Sequence, residues 1–67
     1  MEPDWKKIYS SSNNIEVEML RGMLAENEIP AVIINKKDSA YLFGESELYV
    51  KAEDVMAAKR IIDSAKT

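Results

Sequence analysis

The chain has 67 residues with nine basic and twelve acidic side chains, a net charge of −3, and neither cysteine nor histidine. This length fits a single domain, residues 1–67, near the size at which one hydrophobic core barely suffices. Without cysteine and histidine, disulfides are excluded and no zinc, haem or other cofactor is expected. Self-association is the remaining aid to stability, so we expect a homo-oligomer.

Charge and hydropathy also limit the partners. Because the net charge is negative, no general electrostatic attraction to nucleic acid or to an anionic membrane is expected. No apolar run approaches the roughly 20 residues of a spanning helix, and the N-terminal sequence MEPDW does not resemble a signal peptide. We therefore expect a cytoplasmic protein that binds neither nucleic acid nor membrane and whose protein partner is unidentified.

Alternation of side chains predicts a first strand over residues 5–10, WKKIYS. With a period of two, Trp5, Lys7 and Tyr9 point to one face of the sheet and the residues between them to the other. The polar residues that follow form a short connection to a helix.

A capped amphipathic helix comes next. Asn13 and Glu16 match a capping box, in which the asparagine oxygen accepts a backbone N–H and the glutamate reaches back to the asparagine N–H. The helix is expected to end at about Asn27, a residue that tolerates the left-handed conformation, before Pro30 forbids its continuation. Gly22 either permits close packing or is tolerated at the surface. The apolar residues form two rows: Val17, Leu20 and Leu24, expected in the core, and Ile15, Met19 and Met23, expected on its flank.

Two strands and a second helix complete the chain. The segment AVIIN (residues 31–35) predicts a buried strand, and either of its two alternating sets of apolar side chains could face the helices. The segment ELYVK (residues 47–51) predicts a third strand, in which Tyr49 points to the face opposite that of Leu48 and Val50. Residues 53–65 predict the last helix. The expected fold is α+β and ferredoxin-like, β-α-β-β-α, a three-stranded antiparallel sheet with two helices on one face, the third strand in the centre and the fourth strand absent.

A family resemblance is carried by framework residues along almost the whole chain. They are Tyr9, Leu20, Leu24, Asn27, Ile29, Pro30, Ala31, Gly44, Leu48, Val50, Asp54 and Ala58. With these residues the chain resembles the "putative prokaryotic signal transducing protein" family, small domains of unknown function that are similar in fold to the nitrogen-regulatory P-II proteins. One departure is Glu28, where the family more often has glycine. The resemblance implies signalling through the loop between strands two and three. It implies no nucleotide-binding residues in this chain, because none of its residues match such a motif.

The loop from Lys36 to Ser46 offers one candidate site. Lys36 and Lys37 lie beside turn-forming residues and could contact an anion, so a small anionic-ligand sensor is the alternative function. The other interpretation is a solvated hairpin tip, because no glycine-rich cradle or helix N-terminus accompanies the lysines.

Aromatic residues offer the second candidate site. The candidate interaction residues are Trp5, Tyr9, Tyr49, Tyr41 and Phe43. Trp5, Tyr9 and Tyr49 are expected together on the helix-free face of the sheet, where they either contact a protein or are covered by the loop. Their acidic neighbours argue against RNA binding, and no nucleophile and base stand in a recognisable spacing. The leading hypothesis is therefore a non-enzymatic regulatory or protein-interaction module with no catalytic residues.

Overall fold

The computed structural model describes residues 4–36 and 45–66, which form a three-stranded sheet and two helices. The elements are β1 (Trp5–Ser11), α1 (Asn14–Glu26), β2 (Ala31–Lys36), β3 (Glu45–Lys51), a short 3-10 turn (Ala52–Asp54) and α2 (Val55–Lys66). The predicted β-α-β-β-α order is confirmed. Within these residues neither helix has the length and apolar character needed to cross a membrane.

The sheet is antiparallel with the order β1-β3-β2, so the third strand lies in the centre as predicted. Strand β2 pairs with β3 without interruption, from Ala31 opposite Val50 to Lys36 opposite Glu45. Strand β3 begins two residues earlier than predicted, because Glu45 and Ser46 also pair with β2. The buried Ser46 hydroxyl lies 2.7 Å from the side-chain oxygen of Asn14 and 2.6 Å from that of Asn35. These partners compensate the polar side chain for its burial.

An irregularity in β1 changes which side chains share a face. Lys7 lies opposite Tyr49 and Tyr9 lies opposite Leu48, so Ile8 is an extra residue in β1. An inserted residue shifts the alternation of the strand by one. Tyr9 consequently faces the helices with Leu48, and the prediction that Trp5, Tyr9 and Tyr49 share the helix-free face is wrong for Tyr9.

The core lies between the sheet and the two helices. The buried apolar residues are Val17, Leu20, Leu24, Ile29, Leu48, Val50, Ala58 and Ile62, so the predicted core row of α1 is confirmed. From β2, Ala31 and Ile33 pack against this cluster. The alternation of the strand then places Val32 and Ile34 on the helix-free face, which resolves the choice that the sequence left open.

The flanking row of α1 is split between core and surface. Met23 packs against the core, whereas Ile15 is 77% exposed and Met19 is 63% exposed. A methyl group at Gly22 would meet no atom within 4 Å, so this glycine is a surface residue and does not serve close packing.

The start of α1 is capped by Asn13. Its side-chain oxygen accepts hydrogen bonds from the N–H groups of Ile15 at 3.1 Å and Glu16 at 3.2 Å, as predicted. The return contact of the capping box is not made. The N–H of Asn13 donates to Ser11 Oγ at 3.0 Å, because the Glu16 carboxylate accepts a hydrogen bond from Tyr9 instead.

The end of α1 is a Schellman motif. The N–H of Ile29 donates to the carbonyl of Leu24 at 2.9 Å, and the N–H of Glu28 donates to that of Ala25 at 3.0 Å. The left-handed residue is Glu28, with φ 61°, and not Asn27, which has φ −97°. The family resemblance places glycine most often at this position, and glycine adopts a positive φ without steric cost.

Replacing Leu24 by alanine should lower the free energy of unfolding by about 2 to 5 kcal/mol, because the side chain is fully buried and the change leaves a cavity. Urea unfolding followed by circular dichroism measures this loss. The matched control is Met19→Ala on the exposed side of the same helix, which should cost no more than about 0.5 kcal/mol. Equal losses for the two variants would contradict the orientation of α1.

Replacing Glu28 by glycine should raise the free energy of unfolding by about 1 kcal/mol, because a residue with a Cβ is strained at positive φ. Thermal and urea unfolding report the gain. Glu28→Ala removes the same carboxylate but keeps a Cβ, so it should give no such gain. If both variants are equally stabilised, the carboxylate and not the backbone conformation is the source of the cost.

Candidate functional site

The helix-free face of the sheet carries the side chains that point away from the core. Along β3, Glu47 and Tyr49 alternate with the buried Leu48, and the strand pairing adds neighbours from β1 and β2. The face therefore includes Trp5, Lys7, Val32, Ile34, Glu47 and Tyr49, with Ser10 opposite Glu47 and Lys51 opposite Trp5. Trp5, Ile34 and Tyr49 are half-buried, Lys7 and Val32 are exposed, and Glu47 is buried.

Glu47 holds the polar end of this face. Its side chain lies 3.5 Å from Lys7 Nζ and accepts a hydrogen bond of 2.8 Å from the Tyr49 hydroxyl. This bond raises the pKa of Tyr49, with further contributions from burial and from the negative charge of Glu47. The Tyr49 ring is thus held in one orientation by a charge-assisted hydrogen bond. Sequence reasoning missed Glu47, because an acidic residue in an alternating strand normally indicates a solvated position.

A groove of about 400 Å³ lies at the other end of the face, where β2 begins. Trp5 and Val32 form its wall on the sheet. The remaining walls are Arg21 and Ala25 of α1 and the turn and strand residues Glu28, Ile29, Pro30 and Ala31. The sequence pointed to Trp5 but not to the α1 residues, since only the packing of the α1–β2 turn against the sheet brings them together.

Another concavity, of about 470 Å³, lies on the surface of α2 between Met56 and Ser64. Its walls all belong to that one helix, and Lys59, Arg60 and Asp63 contribute charged side chains to it. The groove beside Trp5 joins β1, β2 and α1, so its shape is fixed by the fold. We therefore take the helix-free face with this groove as the candidate site.

Tyr9 lies on the opposite side of the sheet and joins three elements. Its hydroxyl donates a hydrogen bond to the Glu16 carboxylate of α1. Lys66 Nζ of α2 donates to the same hydroxyl at 2.8 Å and lies 4.5 Å from the ring centroid. The Tyr9 ring packs against the core, so this predicted interaction residue connects the helices to β1 instead of contributing to the helix-free face.

These contacts shift the pKa values of both charged partners. The hydrogen bond from Tyr9 lowers the pKa of Glu16, helped by Ser11 and the positive charge of Lys66 and opposed by partial desolvation. The bond to Tyr9 also raises the pKa of Lys66, to which Glu16 and Asp63 add. Each partner is therefore held in its charged form.

The loop predictions fall largely outside the described residues. Lys37, Tyr41 and Phe43 lie there, and Lys36 is the last residue of β2, opposite Glu45. An anion contact at Lys36 and Lys37 and a protein contact at Tyr41 and Phe43 stay predictions. In residues 4–36 and 45–66, no three carboxylates are grouped so that they could hold a metal ion.

Replacing Tyr9 by phenylalanine should destabilise the domain at neutral pH and progressively less in acid. The lowered pKa of Glu16 contributes stability above its ordinary value of 4.5, and this contribution is lost as the pH falls through the lowered value. Urea unfolding of wild type and variant at about pH 7 and about pH 3 measures the difference. In a Glu16→Gln background the same substitution should lose this acid dependence. An unchanged difference in both backgrounds would contradict the role of the Tyr9 to Glu16 bond.

Comparison with known proteins identifies a family for this chain. A family model described as "Putative prokaryotic signal transducing protein" matches residues 5–66, a range that includes every described strand and helix. No curated protein and no solved structure matches the chain. The match spans nearly the full length, and the chain therefore belongs to the family described as putative prokaryotic signal transducing proteins.

Proposed function

We propose that this domain is a non-enzymatic, cytoplasmic regulatory module that acts in signal transduction by binding protein through the helix-free face. The family description supports the signalling role. The observation that carries the proposal is the groove at the start of β2, where Trp5 and Val32 form the wall on the sheet face that neither helix covers.

The composition of the groove suits protein contact. Val32 is 41% exposed, and Trp5 is half-buried, so both retain apolar surface that a partner can cover. An aromatic ring beside aliphatic side chains concentrates binding energy in a small area. Arg21 and Glu28 at the rim add one charge of each sign, which favours a defined orientation of the partner more than raw affinity.

The polar end of the face supports a positioning role and not a catalytic one. Tyr49 donates its hydroxyl to Glu47, and Lys7 lies beside the same carboxylate. These contacts hold the Tyr49 ring next to Val32, its neighbour across the strands. A rigid ring loses little conformational entropy on binding, so Tyr49 can support an anchor formed by Trp5 and Val32.

Replacing Trp5 by alanine should weaken partner binding by about 2 kcal/mol or more, roughly 30-fold in the dissociation constant, because it removes the aromatic anchor. The tagged protein is used to recover its cellular partner, and the purified partner is then titrated by calorimetry. The matched control is Met56→Ala, whose side chain on α2 is 80% exposed and lies outside the groove. Melting curves of both variants separate lost binding from lost stability. Full binding by the Trp5 variant, or an equal loss with Met56→Ala, would contradict the proposal.

The anionic-ligand sensor is tested with the same protein. Thermal shift in the presence of nucleotides and acidic metabolites reports any ligand that binds the native state. The control is the double variant Lys36→Ala and Lys37→Ala. A ligand-dependent rise in melting temperature that this variant loses would favour the sensor over the protein-binding module.

A further inference from the structure

The two edges of the sheet differ in how well they are protected. The β1 edge contains the irregularity at Ile8 and the exposed Lys6 and Lys7, features that discourage pairing with another strand. Strand β2 pairs regularly with β3 and has no charged residue from Ala31 to Asn35. A regular, apolar edge of this kind is a template for strand addition.

We propose that the β2 edge binds the β2 strand of a second copy of this chain. The two strands run antiparallel about a twofold axis, so that the two three-stranded sheets form a single six-stranded sheet. This inference rests on the proposed function and deepens it by naming the partner as a second copy. The β1 edge is not used, because the bulge and the lysines protect it. The interface is isologous, with the same patch on both copies.

The sequence of β2 is self-complementary in this arrangement. With the axis at Ile33, Val32 lies opposite Ile34 of the second copy, and this aliphatic pair occurs twice on the helix-free face. Cross-strand pairs of β-branched side chains stabilise antiparallel sheets. A twofold axis at Lys6 or Lys7 of β1 would instead bring lysine side chains of the two copies opposite or next to one another. Like charges that face each other across two strands destabilise a sheet. A second copy therefore fits β2 and not β1.

The accessible area of the chain sets a further requirement for the dimer. A standard interface buries about 800 Å² per partner, roughly a sixth of the 4914 Å² of accessible surface. A strand edge must be supplemented to reach this area. The groove that surrounds the start of β2 supplies further apolar surface beside the paired strands.

The first test is sedimentation equilibrium of the full chain from micromolar to millimolar concentration. Wild type should form a dimer. Val32→Lys should raise the dissociation constant at least tenfold, because it sets a charge against Ile34 of the second copy, whereas Val32→Thr, close in shape, should retain the dimer. Ile15→Lys is the matched control at a 77% exposed position on α1 and should leave the constant unchanged. Circular dichroism verifies that each variant is folded.

Hydrogen exchange locates the interface. Amide protection should rise with protein concentration along β2 and stay constant along β1. A chain that is monomeric at every concentration, a dimer that Ile15→Lys disrupts, or protection that rises along β1 would each overturn the proposal. Protection of β2 by a different protein, with the free chain monomeric, would also overturn it. If the free chain is monomeric and Trp5→Ala weakens binding of that other protein, the dimer is refuted and the proposed function stands. A dimer through β2 that Trp5→Ala leaves intact, with no other protein bound, would instead support the dimer and contradict the helix-free face as a binding surface.

Discussion

The alternation of side chains along β3 is the constraint on which both sides of the molecule depend. Leu48 and Val50 are fully buried against the helices, and the residues between them must therefore point to the other face. That requirement places Tyr49 and the Glu47 carboxylate on the helix-free face, where Lys7 and the Tyr49 hydroxyl contact the carboxylate. The same central strand thus determines both the packing of the core and the layout of the candidate binding surface.

The extra residue in β1 allows one edge strand to serve both faces. Before Ile8 the strand contributes Trp5 and Lys7 to the helix-free face, and after it Tyr9 points to the helices. In an uninterrupted ladder Tyr9 would point to the same face as Trp5 and could not reach Glu16 of α1. The bulge therefore allows Tyr9 to link the two helices to β1.

The order of the elements, the core row of α1 and the central position of β3 could be predicted, because periodicity and capping are local properties of the sequence. The face of Tyr9 could not, since a bulge is specified by how two distant strands pair and leaves no distinct pattern in WKKIYSS. The same reason explains the missed groove: Arg21 and Trp5 meet only through the fold. Alternation did predict that Tyr49 lies on the helix-free face. It left open which of the two apolar sets of β2 joins Tyr49 there, and the set that does so includes Val32.

Glu28 shows how stability and surface chemistry compete in so small a domain. A left-handed conformation costs a residue with a Cβ about 1 to 2 kcal/mol, a substantial part of the marginal stability of a small protein. Glycine would remove this cost, but it would also remove a carboxylate from the wall of the groove. The neighbouring Arg21 is already paired with Glu18 at 3.1 Å, so Glu28 contributes its own negative charge at the start of β2. The strained backbone at Glu28 thus accompanies a negative charge in the wall of the groove.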